Sequence, residues 1–462
     1  MKHISLTLLA CATLWGGCQS PDATTRAPMA GRANAQQIPE WANQAVLYQV
    51  NVRQFSPEGN FAGLEAQLPR ISEMGFKVIW LMPIHPIGVK NRKGSLGSPY
   101  SVRDFMAVNP EFGNEEDLRR LVSAAHNLGL KVILDWVPNH SAWDCVWMSD
   151  HPEYFTLYKG ELTTPLNERG EPITDWADVC DLDYGNPGLR KAMIEAMLYW
   201  VREFDIDGYR VDQAGLVPAD FWMECRSALD AVKPLLMIAE WEDEPDHFRT
   251  CFQANYAWRW KDVTRDIAAR KQSVQSLDTL KAFNDHRFPA GYWQLLFTQN
   301  HDEIAWHGTE TELYGDAADA FTVLAFTLPG LPMAYNGQED GLDQRLAFFD
   351  RDPIRWKNYA RTPFFQKLCT LRAQNAAVRA DGDFEKLKTD QDEYIYAFVR
   401  RTKDAKAIVL VNLSPERRKT TCVIPRSMQG GYNDLFAASS LQIGAKVQLQ
   451  LNAWEYLILY AQ

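Results

Sequence analysis

The sequence has 462 residues, of which 46% are hydrophobic and 23% charged, enough to bury a large core. Its 48 Lys and Arg stand against 59 Asp and Glu, a net charge of -11, which excludes a nucleic-acid binder that depends on phosphate contacts. No apolar run beyond the N-terminus reaches membrane-spanning length.

Residues 1–18, MKHISLTLLACATLWGGC, predict an export signal: Lys2, an apolar stretch, then Gly16-Gly17-Cys18. The ending resembles a bacterial lipoprotein signal, with Cys18, or the competing Cys11, as the lipidated residue. The expectation is an exported protein that meets the membrane only through a lipid anchor. Residues 19–40 are polar, Pro/Ala-rich and aperiodic, and read as a tether.

From residue 45 short apolar runs alternate with amphipathic stretches. The runs are VLYQV (46–50), VIWLM (78–82), VILDWV (132–137), GYRV (208–211), LLMIA (235–239), LLFT (295–298) and MAY (333–335), with a weaker one near Asn255–Trp258. Stretches such as 61–75, 115–129 and 189–204 carry apolar residues at spacings of three and four. Seven or eight such units predict an α/β fold, a closed (β/α)8 TIM barrel with crossover helices. Two parts break the rhythm. Residues 141–187 form an insertion after the third strand, too long for an ordinary βα loop and hence functional. The barrel then falls at 41–140 and 188–380, and residues 381–462 read as a C-terminal antiparallel β-sandwich domain of strands such as YIYAFVR and AIVLVNL. Six cysteines follow the signal without zinc spacing, and Cys145–Cys180, both in the insertion, is the expected disulfide.

Four apolar runs end near an acid: Asp135, Asp212, Glu240 and, after LLFTQNH, Asp302. Strand ends of a parallel barrel share one face, so the four meet at one mouth. Clustered carboxylates repel and lose hydration, so a fold keeps them for chemistry or a metal. Arg210 precedes Asp212 by two residues, points the same way on a strand, and holds it ionised. His140 and His301 join this mouth without zinc-like spacing. One ionised and one protonated carboxyl is the arrangement that cleaves a glycosidic bond.

Asp135-Trp-Val-Pro-Asn139-His140, Gly208-Tyr-Arg210-Val-Asp212, Ala239-Glu240 and Asn300-His301-Asp302 resemble four short blocks of the α-amylase family, in that family's order. Residues 97–118, with Tyr100 four before Asp104, and MAYNGQE (333–339) resemble further segments of it, so the likeness runs from about residue 45 to the C-terminus. The resemblance implies an α-retaining hydrolase of α-1,4-linked, starch-like glucans. It implies Asp212 as nucleophile, Glu240 as acid and base, and Asp302 as the acid that grips sugar hydroxyls at the transition state. Arg210 would orient Asp212, His140 and His301 would bond sugar hydroxyls, and Tyr100 would stack under the ring. Retention implies a carboxyl separation of about 5–5.5 Å between Asp212 and Glu240. Trp143, Trp147, Trp176, Trp241 and Trp306 lie on strand-end loops, and of these Trp241 and Trp306 are expected to line further sugar subsites.

Two departures qualify the likeness. The third and fourth positions after the nucleophile, Lys and His in the common family pattern, are Gly215 and Leu216 here. The loop 56–64 lacks an Asp-rich calcium run. No cofactor is required, and a calcium ion on Asn139 and insertion acids such as Asp181 is an added expectation. The tether leads straight into the first strand, which favours a plain α-amylase or an exo-acting α-glucosidase; a transglycosylase on the same site is the nearest alternative. A non-catalytic glucan-binding lipoprotein is disfavoured because all three acids stand. The expected partner is an α-glucan, and the expected state a monomer.

Overall fold

The computed structural model describes residues 38–461, so the export signal and most of the tether lie outside the described residues. Eight parallel strands close a barrel in chain order: β1 (Leu47–Val50), β2 (Val78–Leu81), β3 (Lys131–Trp136), β4 (Gly208–Val211), β5 (Leu236–Ala239), β6 (Ala254–Tyr256), β7 (Trp293–Leu296) and β8 (Leu331–Tyr335). The weak run near 255 is a true strand. The run expected at 295–298 lies two residues earlier, and Thr298, beyond the strand, donates its hydroxyl to buried Glu310 at 2.5 Å.

The period of two explains both the barrel's filling and the site's position. Leu47, Trp80, Ile133, Leu236, Ile238, Ala254 and Leu295 share one apolar cluster that plugs the barrel. Their neighbours Tyr48, Ile79, Leu134, Tyr209 and Met237 belong to the cluster under the helices. Continuing the inward parity up each strand, Leu47 leads to Gln49, Ile133 to Asp135, Arg210 to Asp212 and Ile238 to Glu240. Both faces of each strand are buried, which is why the runs read as continuously apolar.

The insertion holds two small ribbons. His140–Ala142 pairs antiparallel with Val179–Asp181, and Leu157–Tyr158 with Glu161–Leu162. Chain order resumes at the helix Pro187–Phe204, started by Pro187 and capped by Asn186, whose side chain accepts from the Gly188 and Leu189 N–H groups. The expected Cys145–Cys180 disulfide is absent. Both cysteines are buried free thiols, Cys180 facing Ser141 across the ribbon while Cys145 lies beyond its end.

The C-terminal domain is antiparallel. A six-stranded sheet contains β9 (Asp383–Leu387), β10 (Ile395–Arg401), β11 (Lys406–Asn412), and three more segments, Gly430–Asp434, Ser440–Ile443 and Tyr456–Ala461. The pair Arg418–Val423 and Lys446–Leu451 forms a second layer. Strand β10 is buried on both sides. Tyr396 and Phe398 join the barrel's outer cluster, and Ile395, Ala397 and Val399 pack toward the small sheet. No described helix is long and apolar enough to cross a membrane.

Candidate active site

Arg210 is the centre of the mouth. Its side chain is fully buried. Its Nη1 donates to Asp135 Oδ1 at 2.6 Å and to Asp212 Oδ1 at 3.0 Å, and its Nη2 lies 2.8 Å from Glu240 Oε2, an ion-pair contact without hydrogen-bond alignment. The rings of Trp80, Tyr100 and Tyr256 surround the guanidinium at 5.3–5.6 Å. One cation thus faces three buried carboxyls, and burial dominates their titration. It pushes Glu240 up to about 8 and Asp212 up to about 6, with Arg210 opposing in both cases. Asp135 is pushed up to about 7 by the same cause. The order is the useful result: Glu240 holds a proton where Asp212 has lost its own.

The backbone fixes both acids. The Asp212 N–H donates to the Trp136 carbonyl and the Glu240 N–H to the Val211 carbonyl, each at 2.8 Å, so both belong to the barrel ladder. Gln213 has a left-handed backbone, φ 45° and ψ 41°, uncommon for a residue with a Cβ. That bend turns its N–H and its side-chain amide onto Glu240 Oε2, at 3.1 and 3.3 Å.

A hydrogen-bond chain joins the other sugar-facing candidates. Gln49 Nε2 donates to His301 Nδ1 at 2.8 Å, His301 Nε2 meets Tyr100 Oη at 2.7 Å, and Tyr100 Oη donates to Asp135 Oδ2 at 3.0 Å. Only one tautomer serves all three bonds, with the proton of His301 on Nε2. Burial pulls His301 and His140 down to about 4, so both are neutral. Asp135 also accepts from Trp80 Nε1 at 3.2 Å.

Asp212, Glu240, Asp302, Tyr100, His140 and His301 all line one cleft of about 610 Å³. Trp306 lines it too, raised on a π-helical turn, Glu303–His307, and 53% exposed. Two expected site residues are not on its wall. Arg210 is covered by its carboxyls and aromatic rings, so it positions acids rather than touching sugar. Trp241 lies against Gly215, where an added Cβ would stand 2.0 Å from indole Cε2. That packing accounts for the glycine: with this indole in place, no side chain fits at 215. Trp176, another strand-end tryptophan, is on the wall, and among the described residues the cleft also has Lys93, Ser98, Gln213, Phe348 and Phe349, which no motif marked as sugar contacts. Asn139 immediately precedes the ribbon of His140–Ala142 and Val179–Asp181, and Asp181 lies in it. Asp181 pairs in register with His140, has no ion pair among the described residues, and is pushed up to about 6 by burial.

A buried guanidinium shared by two acids of unequal proton affinity, at the C-terminal mouth of a (β/α)8 barrel, marks the class as a glycoside hydrolase. The family profile of the alpha-amylase catalytic domain matches residues 30–176 and 173–392. The chain belongs to the alpha-amylase family. It is 27% identical to alpha-amylase MalA of Haloarcula japonica over 85% of this chain, and spans only 58% of that relative's length. Among solved structures it resembles a maltogenic alpha-amylase of Thermotoga neapolitana, with 30% identity, TM-score 0.81, and coverage of 90% of this chain and 98% of that one. The alpha-amylase of Lactobacillus plantarum is similar, at 31% identity and TM-score 0.79, with 91% and 99% covered.

Proposed function

We propose that this glycoside hydrolase cleaves α-1,4-glucosidic bonds of maltodextrins with retention of anomeric configuration, by double displacement. The observation that carries the reading is that one buried cation holds both acids: Arg210 Nη1 donates to Asp212 at 3.0 Å and its Nη2 lies 2.8 Å from Glu240. Acids gathered on one guanidinium suit double displacement, in which the two carboxyls stand close together.

In this reading Asp212, ionised, attacks the anomeric carbon while Glu240 passes its proton to the glycosidic oxygen. The leaving sugar departs and a glycosyl ester remains on Asp212. Glu240, now a carboxylate, takes a proton from water, and the hydroxide equivalent displaces Asp212, which returns the site to its starting state. Asp302, with His301 Nε2 3.4 Å from its Oδ2, would receive sugar hydroxyls, and neutral His140 and His301 can donate or accept. Trp306 and the ring of Tyr100 supply apolar faces for pyranose rings.

Asp212→Asn is expected to abolish turnover of maltoheptaose while the melting temperature holds. The first sugar released should be the α anomer by NMR; a β anomer overturns the mechanism. Asn139 and Asp181 offer hard oxygens that suit calcium, which would tie the insertion to the barrel, carbonyls and water completing its six to eight ligands. Export and lipid anchoring rest on residues 1–18 alone, and loss of palmitate labelling in Cys18→Ala checks them.

A further inference from the structure

The loop between β2 and Tyr100 crosses the mouth and is fastened on both flanks. On one side Lys93 Nζ pairs with Asp178 Oδ1 at 2.8 Å and donates to the Asp175 carbonyl at 2.5 Å, both in the insertion. Asp178 is buried, so this pair is only weakly screened. On the other side the same ammonium lies 5.9 Å from the ring centre of Phe349, in the loop after β8. The backbone follows it. Gly94, at φ +63°, is pressed so close that a Cβ would stand 2.4 Å from that of Phe349. Leu96 N–H donates to the Phe349 carbonyl at 3.1 Å, and the Ser95 N–H and hydroxyl both bond Asp350 Oδ1. The segment is a bolted wall, and Lys93 and Phe349 face the cleft.

The position of this wall follows from topology. Strands β8, β1 and β2 are adjacent, and β5, which carries Glu240, lies diametrically across from β1. If Glu240 protonates the departing oxygen, the leaving sugar exits on the β5 side. On that premise the glycone would extend away from it, over Asp302 and Tyr100, with its non-reducing end toward Lys93. The cleft holds about 610 Å³, within the range of small-ligand pockets.

We propose that Lys93, by joining the insertion to the loop after β8, closes the glycone end of the cleft and makes the enzyme exo-acting: it removes short units from non-reducing ends and does not cut within a chain. The inference rests on the roles given to Asp212 and Glu240, and its test separates the two. Maltoheptaose carrying 2-aminopyridine at its reducing end is compared with the same oligosaccharide blocked by a 4,6-O-ethylidene group at the other end. The native enzyme should shorten the open substrate in regular steps and cleave the blocked one at least about tenfold more slowly, because the ethylidene group meets the wall. Lys93→Ala should bring the blocked-to-open ratio about tenfold closer to one. Phe349→Ala, which opens the same wall without breaking an ion pair, should do the same if Lys93→Ala folds poorly. Internal cleavage of the blocked substrate at a rate within about twofold of the open one overturns the proposal, as does an unchanged ratio in folded variants. Failure of the native enzyme on both substrates would instead refute the roles of Asp212 and Glu240, and this inference with them.

Discussion

Arg210→Met tests whether the guanidinium sets the proton affinities of the acids or only their places. In the native site it contacts Asp212 at 3.0 Å and Glu240 at 2.8 Å. With charge centres about 4 Å apart and an effective dielectric constant of about 20, each attraction is worth about 4 kcal/mol, or about 3 pK units. Without it Asp212 should rise from about 6 toward about 9, and Glu240 from about 8 toward about 11. Only the form with Asp212 ionised and Glu240 protonated turns over. Activity near pH 7 should therefore fall about 100-fold, and both limbs of the kcat/KM profile should move to higher pH together. The sign for stability also follows. Both carboxyls bind protons more tightly folded than unfolded, so the variant loses stability as pH rises from about 4 toward the raised values. The assay is a pH–rate profile on maltoheptaose beside thermal unfolding at each pH. A uniform drop in activity with both limbs unmoved refutes the electrostatic argument and leaves Arg210 a spacer. Arg210→Lys keeps the charge and should keep the limbs.

Glu240→Gln should lose activity on maltoheptaose yet retain much of it on α-glucosyl fluoride, whose leaving group needs no proton; equal losses on both would argue against Glu240 as the acid. Gly215→Ala should cost about 1–3 kcal/mol in denaturant titration, because its methyl enters the Trp241 ring, and adding Trp241→Ala should recover most of that. If calcium joins Asn139 to Asp181, chelation lowers the melting temperature and added calcium restores it; an unchanged value removes the ion.

The barrel was legible because its strands are buried on both faces and its acids follow them at fixed parity. Ile133 to Asp135 and Ile238 to Glu240 can be followed residue by residue. The lost edges had a physical cause too. Strand β9 and the segments Gly430–Asp434 and Ser440–Ile443 are partly exposed and polar, so no apolar run marked them. In the cleft, the acids, the histidines and Tyr100 came from short blocks near strand ends. Lys93, Phe348 and Phe349 come from loops far apart in the chain that meet only when the barrel closes, and single-sequence periodicity carries no trace of such a meeting. Trp241 shows what position alone leaves open. Its position in the chain is right for a sugar platform, but what its ring touches depends on a glycine 26 residues earlier.

The two-sided burial of β10 bears on how this catalytic unit can be rearranged. Tyr396 and Phe398 share a cluster with Phe326 and Phe365 of the barrel, and Arg400 donates to the Thr327 carbonyl at 2.6 Å and to Arg379 and Gly382 behind it. Excising residues 381–462 would strip an apolar surface from the barrel's flank and leave the Thr327 carbonyl without this donor. A chimera with a foreign C-terminal module would have to inherit these contacts, so the two portions are exchangeable only as a matched pair.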